Sequence, residues 1–138
     1  MKADKYTTLR NSRYRKQQNE TNDCSVFAIA IACRLTYKKA HEVMSMFGRR
    51  NRKGVDTFTI LRAAQYLGFD LAPVKNLKQK TGSAYTPKSI GKKLKTGYHL
   101  AFVHGHVLGV VNGTVYDWTD GRQHRIKEAY KVTRKRAK

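Results

Sequence analysis

The run Ser25-Val-Phe-Ala-Ile-Ala-Ile-Ala-Cys-Arg-Leu35 is apolar nearly all round. Its length and alanine content favour a helix over a strand, and a helix without a polar face has to be buried on every side. Any fold open to this chain must therefore wrap a central helix in other elements. Asn22 or Asp23 is suited to cap that helix. Thr36 can cap a second helix over 37–47, stopped by Gly48, with Ala40, Val43, Met44 and Phe47 as its apolar stripe. Beyond the loop 48–56, Asp56 or Thr57 can cap a third helix. Ile60, Leu61, Ala64 and Leu67 share one of its faces, and Gly68 ends it. Residues 69–74 then read as a short strand.

Residues 75–86 form a polar linker. Thr86-Pro87 predicts a short fourth helix, with proline at its first position and Gly97 at its end. The rest is β in pattern: strands over 98–103 and 106–111 flank His104-Gly105, and Asn112-Gly113 is a type I′ hairpin signal returning through 114–118. Residues 122–132 fit either a strand or a helix. Residues 1–16 read as a loose basic arm and 134–138 as a frayed basic tail. Helices followed by hairpins, in 138 residues that are 40% hydrophobic, predict one α+β domain with a modest core.

The formal net charge of +20 calls for an anionic partner, such as nucleic acid, an acidic protein or a membrane surface. The plainer reading is a solvated, highly soluble surface. Basic residues cluster over 10–16, at Arg49, Arg50, Arg52 and Lys53, across 75–95 and in the tail, with Tyr14 and Tyr85 interleaved. The Arg49, Arg50, Arg52 and Lys53 group is the candidate anion- or substrate-binding patch. Without zinc-finger spacing or an evident recognition helix, any nucleic-acid binding should be non-specific and steeply salt-dependent. No apolar run approaches the roughly 18 residues of a membrane span, and the first ten residues lack the apolar core of a secretory signal. The expected setting is the cytoplasm, or a host cytoplasm or virion if the chain is phage-encoded. A small, basic, stand-alone form suits a phage or mobile-element product.

Two cysteines remain, Cys24 and Cys33. On one helix they would lie about 13 Å apart along the axis and about 180° apart around it. A disulfide needs Cα atoms within about 7 Å, so both are expected as free thiols. Cys24 stands at the helix N-terminus, where free N–H groups favour a thiolate; Cys33 stands among apolar neighbours, as an inert core residue would. A two-residue loop at Asn112-Gly113 sets Val111 opposite Thr114. His106 and Asp117 then share a face as diagonal neighbours, roughly 7–8 Å apart at Cα, provided the register holds. The carboxylate can fix the imidazole's tautomer. His99 would pair with Val110, about 13 Å further along the strand. His104 falls in the turn, His41 on a helix, and His124 beyond the sheet. A helix-terminal thiol, a distant imidazole and a carboxylate that orients it are the parts of a cysteine hydrolase. Backbone N–H groups at Cys24 and the Gln18 amide are candidates for holding an oxyanion.

On these residues the chain resembles the papain-like cysteine peptidases of the bacteriocin-processing, double-glycine-leader type and their stand-alone relatives. The resemblance runs through Gln18…Asp23-Cys24-Ser25, where Ser25 stands for the family's glycine. It continues through Gly54-Val-Asp-Thr57 with Leu61-Arg-Ala-Ala-Gln-Tyr-Leu-Gly-Phe69, and through His106-Val-Leu-Gly-Val-Val111 with Asp117-Trp-Thr-Asp-Gly121. It implies a papain-like α+β fold over 17–132, with the nucleophile helix packed on a C-terminal antiparallel sheet. It also implies Cys24 as nucleophile, His106 as general base and acid, Asp117 as orienter and Gln18 as oxyanion donor. The Ser25 side chain is expected to crowd the cleft. The competing reading is a non-catalytic basic protein on the same fold, binding nucleic acid or an acidic partner. A metal site at Cys24 and His106 falls short of the usual three or four ligands, so no metal or cofactor is expected.

Overall fold

In the computed structural model, which describes residues 4–135, the chain opens with two short helices, α1 (Asp4–Arg10) and α2 (Arg13–Gln17). From residue 4 onward the segment expected as a loose arm is therefore folded; residues 1–3 lie outside the described residues. Tyr6 and Leu9 share one face of α1. Leu9 is buried in the core, and the Tyr6 ring lies 5.0 Å from the Phe27 ring. Two apolar residues three apart are a faint signal until the partner they pack on is in place.

The all-apolar run forms α3 (Cys24–Ala32), buried at every residue from Ser25 to Ala32. It ends earlier than the run does. Arg34 takes φ +60°, and the Leu35 N–H bonds the Ala30 carbonyl, closing a Schellman-type turn with arginine where glycine is usual. The Arg34 guanidinium, 4.0 Å from the Tyr98 ring centroid, helps hold this conformation. Next come α4 (Tyr37–Met46), capped by Thr36, and α5 (Thr57–Tyr66), capped by Asp56, each cap accepting from the N–H three residues on. Gly48 and Gly68 follow them at positive φ.

The strands are β1 (Phe69–Pro73), β2 (Tyr98–Val103), β3 (His106–Val111), β4 (Thr114–Tyr116) and β5 (Glu128–Arg134). They form one antiparallel sheet in the order β1-β5-β2-β3-β4. Of the ambiguous stretch 122–132, residues 122–127 are irregular and the strand β5 begins at Glu128, inserting between β1 and β2. Its Val132 packs in the core that contains α3, and its Ala129 in a second cluster with Ile90, Leu94, Val103, Leu108 and Ile126. A strand covered on both faces does not show simple alternation. The expected fourth helix is instead a 3₁₀ turn, Ile90–Lys92. Gly91 weakens a helix there, and its backbone abuts that of Gly113, so that a Cβ at Gly91 would lie 2.5 Å from the Gly113 oxygen. The β5 strand carries Arg134 of the expected tail; residues 136–138 lie outside the described residues.

Gly109 sets the distance between α3 and the sheet. A Cβ there would meet Ile31 Cγ2 at 2.6 Å and Ile31 Cβ at 2.7 Å. The Cβ of Ile31 cannot swing aside without its backbone. Gly109→Ala is expected to cost about 1–3 kcal/mol by overpacking, read as a lower urea midpoint. An unchanged midpoint would contradict this close approach.

Candidate active site

Cys24 is the first residue of α3 and is half-buried. Asp23 occupies the N-cap position, yet its carboxylate makes no cap bond. Arg15 Nε donates to it at 2.8 Å and the Tyr37 hydroxyl at 2.6 Å. The Val26 and Phe27 N–H groups bond the Asp23 carbonyl. The N–H groups of Cys24 and Ser25 belong to the first turn, where the helix supplies no partner. Drawing the Asp23 side chain away leaves this end of the helix unblocked beside the thiol.

His106 opens β3 after the His104-Gly105 turn. The register pairs Val111 with Thr114 and Gly109 with Tyr116, as the Asn112-Gly113 turn predicts, with both turn residues at positive φ. The ladder ends at Tyr116, and Asp117 follows directly. His106 Nε2 donates to Asp117 Oδ2 at 2.7 Å. The Thr119 hydroxyl and N–H donate to the same oxygen at 2.6 and 3.1 Å. Asp117 is buried, so these donors fix it in place. Cys24 and His106 line the same two cavities, and with His106 Nε2 engaged by Asp117 the ring's other nitrogen, Nδ1, is left for a further partner. Burial alone would lower the His106 pKa. The hydrogen bonds and charges of Asp117 and Cys24 outweigh it and push the value up to about 9.

Cys24 and His106 stand between two cavities. One, of about 610 Å³, is lined by Tyr6, Arg15, Asn22, His104, Trp118 and His124, among others. The other, of about 270 Å³, is mainly apolar, with Val55, Ile60, Phe102, Val103 and Val107 in its wall. Trp118 packs on His106 with ring centroids 5.0 Å apart and meets His124 edge-on at 5.7 Å. Sequence reasoning passed over Tyr6, Arg15 and Trp118. For Thr119, a hydroxyl two residues beyond an aspartate is a recognisable local hydrogen-bonding pattern.

Several expected site residues lie elsewhere. Gln18 does not line the cleft; its side-chain oxygen accepts from Asn51 Nδ2 at 3.0 Å. Ser25 is buried and absent from both cavity walls, so it does not crowd the cleft. Arg49 is not a surface anion contact. Its guanidinium is fully buried and grips Glu20 through two bonds of 2.8 and 2.9 Å. Glu20 also accepts from the Arg52 N–H and from His41 Nε2. These partners overcome the cost of burial and hold the Glu20 carboxyl down to about 2. Arg52 also directs its guanidinium to the carbonyls of Gln18 and Asn19, while Arg50 and Lys53 are exposed. This network clamps the segment before Cys24 to the loop carrying Gly54, which lines both cavities. His41, read from sequence as an ordinary helix residue, is buried within it.

Both cysteines are free, and burial pushes the Cys33 thiol up to about 12. Among the described residues no group of three or more His, Cys, Asp or Glu side chains is arranged to hold a metal, and no helix is long and apolar enough to cross a membrane. Comparison with protein-family models, curated proteins and solved structures gives no match to this chain.

Proposed function

We propose that this chain is a thiol hydrolase of papain-like kind that cleaves a peptide or isopeptide bond. The observation carrying the proposal is the line Cys24, His106, Asp117: a helix-terminal thiol, an imidazole lining the same two cavities, and a buried carboxylate 2.7 Å from the imidazole's Nε2. An all-apolar helix packed on an antiparallel sheet, with the thiol at its N-terminus, supports the papain-like reading. In this scheme the thiolate attacks the carbonyl carbon, and the unpaired N–H groups at the start of α3 receive the developing oxyanion in place of Gln18. The C–N bond breaks as the His106 imidazolium gives its proton to the leaving amine. Water then attacks the thioester and passes a proton to His106, releasing the acid and restoring the thiolate–imidazolium pair. Asp117 orients the ring and stays ionised throughout.

The test is mass-spectrometric analysis of a complex peptide mixture incubated with the wild type and with Cys24→Ala. New termini should appear with the wild type and be absent with Cys24→Ala. If Cys24 is rapidly alkylated yet no cleavage appears, the thiol is activated and peptide hydrolysis is the wrong reaction. Identical product sets from both proteins would remove Cys24 from the chemistry altogether.

A further inference from the structure

On the face of the sheet opposite α3, residues 77–94 and 122–126 cover the second apolar cluster. Their outer side holds a groove of about 520 Å³. Its construction is specific. Lys78 bridges Ala84, and the Gln79 N–H bonds the Ser83 carbonyl, folding the loop back on itself. The Ser89 hydroxyl accepts from the Thr86 N–H, and the Lys88 N–H bonds the Arg122 carbonyl, tying the two segments together. Ile90 and Leu94, both buried, anchor the turn from below. Lys88 and Lys92 are exposed along it.

The walls are formed by Gln79, Ser83, Thr86, Lys88, Ser89 and Lys92, with Ala84 and Gln123. None of them is a carboxylate. Ammonium groups among neutral amides and hydroxyls are the donor set that contacts phosphate and sugar oxygens. The surroundings reinforce this. Over 75–95 and 120–131 the exposed carboxylates are Asp120 and Glu128, and Glu128 already accepts from the Tyr130 hydroxyl, whereas exposed lysines and arginines recur throughout. Elsewhere, Glu20, Asp23 and Asp117 are buried on internal partners, while Arg49 is the only buried lysine or arginine among the described residues. The outer surface is therefore more positive than the formal +20.

We propose that this groove binds the phosphate backbone of a nucleic-acid strand, independently of the Cys24 cleft. The test is fluorescence anisotropy of a labelled single-stranded DNA of about 16 nucleotides, titrated with the full chain over a range of salt. Two doubly substituted variants with the same net charge are compared: Lys88→Ala with Lys92→Ala, and Lys38→Ala with Lys39→Ala on the exposed side of α4. All four lysines are exposed, and thermal melts check that both variants fold. The groove pair is expected to weaken binding at least about fivefold. It should also make the log K against log salt slope shallower by about 1.4, at about 0.7 per phosphate contact on a single strand. The α4 pair should change the slope far less, and Cys24→Ala should bind as the wild type does. Equal losses in the two pairs would reduce the binding to general attraction by a basic body and overturn the site. Absence of DNA binding would overturn it too. So would displacement of the DNA by polyglutamate at equal charge, which would mark an acidic-protein surface, or loss of binding in Cys24→Ala, which would move the contact to the cleft.

Discussion

Asp117→Ala is expected to slow the reaction of Cys24 with a peptide-like electrophile by about 10²–10⁴-fold. The alanine removes the oxygen that receives His106 Nε2 at 2.7 Å, so the imidazole loses both its orientation and its counter-charge. Asp117→Asn keeps the shape of the side chain and should also be slow. His106 Nε2, the Thr119 hydroxyl and the Thr119 N–H all donate to one oxygen, Oδ2, and an amide oxygen in that place offers two lone pairs to three donors. What it cannot supply is charge. The His106 pKa, pushed up to about 9 partly by that carboxylate, should fall in Asp117→Asn, and the alkaline limit of the reaction should fall with it. The same shift appears in stability. His106 titrates higher in the folded chain than its ordinary value of about 6.5, so its contribution is full below that value and is lost as pH rises through about 9. Melting curves across this window should flatten in Asp117→Asn. An Asp117→Ala protein that reacts as fast as the wild type would remove the orienting role.

Glu20→Ala is expected to cost about 3–5 kcal/mol of folding stability, measured by urea denaturation. The Glu20 and Arg49 side chains are both at 0% exposure, and the substitution strands the guanidinium in the interior. It also leaves the Arg52 N–H and His41 Nε2 without this acceptor. Against a typical total of about 5–15 kcal/mol, that is a large fraction. Removing both partners, as in Glu20→Leu with Arg49→Leu, should cost less than Glu20→Ala, because no charge is left uncompensated. The Glu20 carboxyl is held down to about 2, below its ordinary value of about 4.3. Its stabilisation is therefore present above that value and disappears as pH falls through about 2. A loss below about 1 kcal/mol in Glu20→Ala would mean that the clamp between the segment before Cys24 and the Gly54 loop carries little of the fold.

The parts of this molecule legible in its sequence are those fixed by short-range signals. The His106–Asp117 contact follows from a two-residue turn whose residues adopt positive φ, and from counting back along a hairpin. The burial of α3 follows from the absence of any polar face. What escaped depends on long-range partners. Glu20 and Arg49 meet across 29 residues with nothing local to announce it, and Gln18 is engaged by Asn51 across 33. Both partners come from the loop that composition marked as an anion-binding patch. The 3₁₀ turn at Ile90–Lys92 departs from a reasonable helix prediction because Gly91 must approach Gly113, a contact between segments that only the sheet brings together. The end of α3 was hidden because Arg34 takes a conformation usually left to glycine, aided by the Tyr98 ring.

The most direct test is the rate of iodoacetamide alkylation of Cys24 against pH, with Cys33 of the same molecule as internal reference. Cys33 is fully buried, its thiol pushed up to about 12, and it should react slowly throughout. If Cys24 and His106 form a working pair, Cys24 should react much faster than Cys33, and the excess should persist well below the ordinary thiol range. A simple thiol instead loses reactivity on falling below its ordinary value of about 8.5. The advantage should vanish in His106→Ala. A Cys24 as sluggish as Cys33, or one whose rate is indifferent to His106, would contradict the account.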